Sequence, residues 1–391
     1  MSPDTRPLVT LVLHKFSRGG SDRVAAHLAR GFAAAGFRAE LVVFARGGEV
    51  EQILLDLLGD VPVRFLGRSS NRRFMDLLRG IPALTSYIRR SRPDVLLSTA
   101  NNTALATAAA LALARGSSPL LVLKTTNPVA GSRHLGVLRL LRSWSYRFVF
   151  KRTASVWTLS EEENEELCEE YPEYAQLFRT IVQPYVTEAM LSLPDARAAS
   201  SKTILSIARL TKQKRLDRLI RAFAHVRTAD ARLVICGEGE ERAKLSALAD
   251  QLGVKDRIEL RGYVPDVSSA IREAALLVLT SDYEGLPAAA LEAMGANCPV
   301  LTTNCFPSAR SLIGDAPGCA IIEDDSPAVL GAMLDEMLSR PQPTDLARIA
   351  ERYSISNGVQ SHVDELSALL SFDPTPGPVV EEKRIMSGAS G

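Results

Sequence analysis

The sequence predicts an α/β protein built from two doubly wound domains that face a central cleft. Three observations carry this. Short apolar runs alternate with helical patterns, as expected of parallel strands covered on both faces. The series stops once, in an acidic and then Pro/Ser-punctuated stretch, and restarts with the same grammar. The 391 residues, 46% hydrophobic and 23% charged, hold about two domains of roughly 150 to 200 residues each.

In order, "LVTLVLHKF" (8–16) is a buried strand, "GGSDRVAAHLARGFAAAG" (19–36) a loop and helix, and "RAELVVFA" (38–45) the next strand. "DVLLST" (94–99) and "PLLVLKT" (119–125) continue the sheet. "SEEENEELCEEYPEY" (160–174) is acidic and helical, and the stretch 184–202 has no sustained period. The second half runs "TILSIARL" (203–210), a helix over 215–228, "ARLVICGEG" (231–239), a helix over 240–252, "RIELRGYV" (257–264), "ALLVLTSD" (275–282), a helix over 287–296 and "PVLTTN" (299–304). The expected boundaries are a first Rossmann-like domain at 1–185, a linker at 186–202 and a second Rossmann-like domain at 203–350. The Pro/Gly-rich end, 373–391, is expected to be a disordered tail.

Five cysteines without a CxxC pair read as reduced core thiols of a cytoplasmic protein, not a disulfide frame or a zinc site. The N-terminus lacks the layout of a signal peptide, and "ALATAAALALA" (104–114) is too short to span a bilayer. The net charge of +1 conceals an asymmetry: residues 1–160 carry +14, 161–200 carry −8 and the remainder −5. A basic first half fits an acidic partner surface, anionic lipid before nucleic acid, because no nucleic-acid recognition motif accompanies the charge.

In open α/β sheets ligands bind at the carboxyl ends of strands, where helix N-termini attract anions. Four turns qualify here. Gly19-Gly20 opens the first helix and lets a phosphate approach the backbone, although a tight turn explains the pair equally well. Arg209 and Lys214 follow the first strand of the second half and suit a diphosphate, with Lys212 and Arg215 keeping a plain basic loop open as a reading. Gly237 begins another close turn, "GEGEER", which is not a GxGxxG fingerprint. In "SDYEGLPAAALEAM", Pro287 suits a first helical turn, so Glu284 lies in the loop and Glu292 in the helix's second turn. Carboxylates beside the Gly285 and Leu286 amides suit a ligand with both hydroxyls and phosphate. Glu292 in an apolar helix needs a partner.

With these residues in view, "EGLPAAALE" resembles the E-x7-E motif of retaining GT-B glycosyltransferases, and its surroundings resemble family 4, of the bacterial polysaccharide-assembly type. "GGSDRVAAHLARGFAAAGFRAELVV", "SIARLTKQKRLDRLIRAF" and "LVICGEGEERAKL" extend the resemblance over most of the chain. "RYSISNGVQSHVDELSALL", within 351–372, is similar to that family's C-terminal helix, which crosses back to the first domain. The resemblance implies a metal-independent, retaining transferase of hexosyl type with no cofactor. Its substrate would be a UDP- or GDP-linked sugar. Arg209 and Lys214 would hold the diphosphate as leaving group. Glu284, Gly285 and Leu286 would contact the sugar and Glu292 the ribose. Gly237, Tyr263 and Val264 would border the nucleoside, and Gly19 and Gly20 would close over the phosphates. Many relatives carry a His after the strand matching "PLLVLK"; here Thr126 and Asn127 stand near that place. Either those two residues contact the donor instead, or the donor contacts differ.

The acceptor is expected on the first domain, as a glycan or lipid-pyrophosphate-linked molecule in cell-surface polysaccharide synthesis. "SRHLGVLRLLRSWSYRFVFKR" (132–152) and "GRSSNRRFMDLLRG" (67–80) alternate basic and apolar residues. They read either as a peripheral contact with the anionic inner face of the membrane or as ordinary solvated helix faces. The other functions open to this sequence are an inactive nucleotide-sugar-binding subunit, a sugar-nucleotide epimerase and a phosphorylase.

Overall fold

The computed structural model describes residues 5–17, 19–47, 50–70, 72–129, 137–192, 201–340 and 345–372. The expected tail, 373–391, residues 193–200 of the expected linker and the start of the 132–152 segment lie outside them.

The first sheet has seven strands: β1 (Leu8–Leu13), β2 (Arg38–Val43), β3 (Val63–Phe65), β4 (Val95–Ser98), β5 (Leu120–Lys124), β6 (Thr153–Thr158) and β7 (Phe178–Thr180). Their order is β3-β2-β1-β4-β5-β6-β7 and every pairing is parallel. The second sheet has six: β8 (Thr203–Ile207), β9 (Arg232–Cys236), β10 (Ile258–Gly262), β11 (Leu276–Leu279), β12 (Val300–Thr303) and β13 (Ala320–Ile322). These run β10-β9-β8-β11-β12-β13, again all parallel. Each sheet therefore reverses its winding beside its first strand, β1 or β8. A crevice opens at the carboxyl ends of the strands there.

Alternation along the central strands feeds two cores per sheet. Leu11 and Leu13 pack on one face of the first sheet with Val24, Leu28 and Phe32. Val12 packs on the other with Leu96, Leu123 and Phe150. The second sheet divides likewise, Leu277 and Leu279 on one face and Leu276 and Val278 on the other. Such two-sided burial explains why these strands read as continuous apolar runs.

The domains are tied at a crossing of two chain segments. Tyr185 and Val186 donate their amides to Tyr353 O at 3.0 and 2.9 Å, and Ile355 N returns to Val186 O at 2.8 Å. Beyond it, helix Ile355–Leu370 lies on helix Gly20–Ala34, so close that a Cβ on Gly31 would stand 2.1 Å from Val359 Cγ1. The end of the chain thereby completes the first domain's core through Val363 and Leu366.

Candidate functional site

The two carboxyl edges enclose one cleft of about 2280 Å³. A drug-sized ligand fills at most ~1,000 Å³, so this cleft has room for two substrates. From the sequence-derived candidates, Gly19, Gly20, Thr126 and Asn127 line it on the first domain. Arg209, Lys214, Gly237, Tyr263, Val264, Glu284, Leu286 and Glu292 line it on the second. Gly285 does not line the cleft but sits at the domain contact: a Cβ there would stand 2.5 Å from Thr126 O and 2.6 Å from Leu159 Cδ1. Only a glycine permits that approach.

Strand β11 ends at Leu279, and the chain turns through Ser281 and Glu284 before helix Ala288–Gly295 starts after Pro287. Glu284 is 8% exposed. Its Oε1 accepts from Ser281 Oγ at 2.6 Å and is in contact with the Lys214 ammonium, while its amide donates to Cys305 O at 2.6 Å. Lys214 is therefore aimed by a carboxylate.

Glu292 is 4% exposed, and its partner is Arg23 of the opposite domain, whose Nη2 donates to Glu292 Oε1 at 2.6 Å. Residues 269 apart in sequence thus bridge the two domains at the cleft they both line.

Several residues at the site escaped the sequence reading. Asp22, in the first turn of helix Gly20–Ala34, accepts from Ser17 N and Ser17 Oγ, both at 2.7 Å. Burial raises its carboxyl to about 6, against the pull of those bonds and of Arg209 across the cleft. Asp76 accepts from Ser70 N at 2.8 Å and Ser70 Oγ at 2.6 Å and faces His14 Nε2 at 3.4 Å. Burial lowers the His14 pKa despite that neighbour, favouring neutral imidazole. Lys124 ends β5 inside the cleft wall, and burial brings its ammonium down to about 8. Glu163 is 1% exposed, and its Oε2 accepts from Leu159 N at 2.8 Å and Thr125 Oγ1 at 2.9 Å; burial raises its carboxyl to about 7. A sequence signal existed for two of these. Lys124 is the one charge closing an apolar strand, and Ser160 to Glu163 has capping-box spacing. Ser160 Oγ does accept from Glu163 N at 3.2 Å.

Thr126 N and Thr126 Oγ1 donate to Asn101 Oδ1 at 2.7 and 3.2 Å, and Asn101 Nδ2 donates to Asn127 O at 2.9 Å. The turn after β5, for which the family resemblance implied a His, is here stapled by Asn101. Among the described residues no cluster of His, Cys, Asp and Glu is arranged to hold a metal ion, and no helix is long and apolar enough to cross a membrane. The cysteines are free thiols, four of them buried.

Comparison with known proteins identifies the family and the fold. The family model for glycosyl transferases group 1 matches residues 195–354, and that for the glycosyl transferase 4-like domain matches 19–177. A poly(glycerol-phosphate) alpha-glucosyltransferase of Bacillus subtilis is 26% identical over 252 residues, 61% of this chain and 37% of that protein. An N-acetylgalactosamine-N,N'-diacetylbacillosaminyl-diphospho-undecaprenol 4-alpha-N-acetylgalactosaminyltransferase of Campylobacter jejuni is 33% identical over 129 residues, 33% of this chain and 35% of that protein. The aligned region spans about a third to a half of the length of such curated relatives. Among solved structures, Anabaena Alr3699/HepE in complex with UDP-glucose superposes with a TM-score of 0.74 at 17% identity, covering 92% of this chain and 99% of that one. That likeness establishes a shared two-domain GT-B fold.

Proposed function

The chain belongs to the group 1 glycosyltransferases, and from that premise we propose that it moves a sugar from a nucleotide-sugar donor to a glycan or lipid-linked acceptor, with retention and without a metal. The observation that carries the proposal is the pair of buried carboxylates, Glu284 and Glu292, each engaged by a cation in the same cleft.

The donor's diphosphate lies between Arg209 and Lys214 on one side and the Gly19-Gly20 turn on the other. As the glycosidic bond breaks, negative charge gathers on the diphosphate. Fixed cations in the cleft stabilise that charge at little reorganisation cost. Glu284 holds Lys214 in place and offers its remaining lone pairs to sugar hydroxyls. Glu292 receives the ribose hydroxyls, and Tyr263 and Val264 border the base. Attack from the face the diphosphate leaves, with the donor phosphate taking the acceptor's proton, requires no separate base.

The named relatives include transferases for poly(glycerol-phosphate) and for a diphospho-undecaprenol glycan, which supports a polymer or lipid-pyrophosphate acceptor. A surface on the first domain suits delivery from a membrane. Leu140 (63% exposed), Leu141 (62%) and Trp144 (76%) project from helix Val137–Phe150, beside exposed Arg139. Phe74 (74%) stands on helix Arg73–Ser91 among exposed Arg72, Arg73 and Arg79. Apolar side chains among arginines suit an anionic leaflet, which supports a peripheral position at the cytoplasmic face of the membrane.

The test is nucleoside diphosphate release from a panel of UDP- and GDP-sugars, with and without EDTA. One donor should be turned over, EDTA should not matter, and Glu284→Gln should lower the rate at least tenfold. No release from any donor, with membrane-extracted lipid acceptors supplied, would refute the proposal.

A further inference from the structure

Arg23 lines the cleft from the first domain and Glu292 from the second. Their helices meet at their starts: a Cβ on Gly20 would stand 3.9 Å from Ala288 Cβ. Arg23 follows Gly20 by three residues, and Glu292 follows Ala288 by four. Side chains lean toward the N-terminus of their helix, so both project back over that meeting point. They join there, Arg23 Nη2 donating to Glu292 Oε1 at 2.6 Å.

The contact uses half of the carboxylate. Among the described residues Glu292 Oε2 has no protein partner, yet it is not sealed off, so it opens on the cleft. A carboxylate oxygen only accepts, so a ligand must bring it a hydroxyl or an N–H and not a phosphate. Arg23 is also what aims the group, because the flanking residues Leu291, Ala293 and Met294 are apolar. The arginine side chain is 43% exposed, against 6% for the glutamate. A cation so exposed is a weak clamp between domains. Its planar guanidinium is nevertheless well shaped to fix the orientation of a carboxylate.

We propose that Arg23 is a positioning residue for the donor nucleotide: it holds Glu292 so that Oε2 accepts from the ribose hydroxyls, and the first domain thereby takes part in telling ribonucleotide from deoxyribonucleotide. The inference rests on the transferase reading, which puts the ribose at Glu292, and adds that the second domain does not read the ribose alone. A site built to bond a hydroxyl rejects the ligand that lacks it, because the site's acceptor is left unpaired. That rejection requires a fixed acceptor. A carboxylate free to turn toward water finds another partner and loses little when the hydroxyl is missing.

The experiment is calorimetric titration of the full chain as wild type, Arg23→Met and Arg23→Lys. The probes are UDP, GDP and ADP, then the 2′-deoxy and 3′-deoxy forms of whichever binds. Wild type should bind the ribonucleotide about tenfold or more tighter than at least one deoxy form. Arg23→Met should bind the ribonucleotide about as weakly as that deoxy form, with the deoxy affinity itself changed by less than about threefold. Arg23→Lys keeps the cation without the planar fork and should recover part of the preference. A merely structural role would lower every affinity alike and leave the ratio between the two forms unchanged. An unchanged ratio in Arg23→Met therefore overturns the proposal, and an equal loss for both forms would assign Arg23 to the diphosphate. Equal binding of ribose and deoxy forms by wild type overturns it too. If none of the three nucleotides binds wild type, the transferase reading fails and the proposal falls with it. If one binds and all three proteins show the same ratio, the proposal fails and the transferase reading stands. Melting temperatures check that each variant is folded during titration.

Discussion

Arg23 of the first domain and Glu292 of the second meet across the cleft at 2.6 Å, the arginine 43% exposed at its side chain and the glutamate 6%. The glutamate is the one that depends on the contact, because it is a carboxylate in an otherwise apolar helix. Replacing Arg23 with Met should lower stability by about 1 kcal/mol, the modest figure reflecting the arginine's exposure. A double-mutant cycle with Glu292→Gln, read from melting temperatures, should show coupling. Strict additivity would mean that the contact does not tie the domains in solution.

Gly285 sets how closely the domains approach. Gly285→Ala puts a methyl group against Thr126 O and Leu159, so the domains must part or the loop must shift. The expected cost is about 1–3 kcal/mol, with a larger radius of gyration by small-angle scattering. Gly314→Ala meets nothing within 4 Å and serves as the control. Equal behaviour of the two variants would contradict the packing described.

Glu163 makes stability depend on pH with a definite sign. Burial holds its folded-state pKa at about 7, above the ordinary carboxyl value of 4.5. Its contribution is fully present below 4.5 and is lost as pH rises through 7. The melting temperature of wild type should therefore fall between pH 4.5 and 7.5 relative to Glu163→Gln, which keeps an acceptor for Leu159 N and Thr125 Oγ1. His27 and His362, held near 4 and 3, titrate in both proteins and cancel in the difference. Parallel curves would show that Glu163 ionises freely in the folded state.

Two tryptophans separate membrane contact from other events. Trp157 is fully buried, whereas Trp144 is 76% exposed. Vesicles containing phosphatidylglycerol should blue-shift the emission, and phosphatidylcholine alone should not. Leu140→Ser with Trp144→Ala should abolish co-sedimentation. Unchanged emission with anionic vesicles would remove the membrane from the account.

Much of the fold was legible because its central strands are buried on both faces and bounded by turn residues. β1, β5 and β11 are examples. Of the edge strands, β10 was read within 257–264, but the short ones were not. β3 and β7 are three residues long and partly exposed, so no apolar run marks them, and β6 hides its register behind Thr, Ser and Trp. At the site, Arg209, Lys214 and the two glutamates stood out because charge follows or interrupts an apolar pattern. The first-domain partners were illegible for a different reason. Arg23 reaches Glu292 only after both domains fold and the chain recrosses at Val186 and Ile355. Nothing local to Arg23 announces that contact.

The central claim is that this cleft binds a nucleoside diphosphate through the second domain. Its most direct test is a thermal-shift titration with UDP, GDP and ADP on wild type and Glu292→Ala. The account predicts that one nucleotide raises the melting temperature in a concentration-dependent way, and that Glu292→Ala weakens the effect at least tenfold in apparent affinity. No stabilisation of wild type by any of the three, or an undiminished shift in the variant, would contradict it.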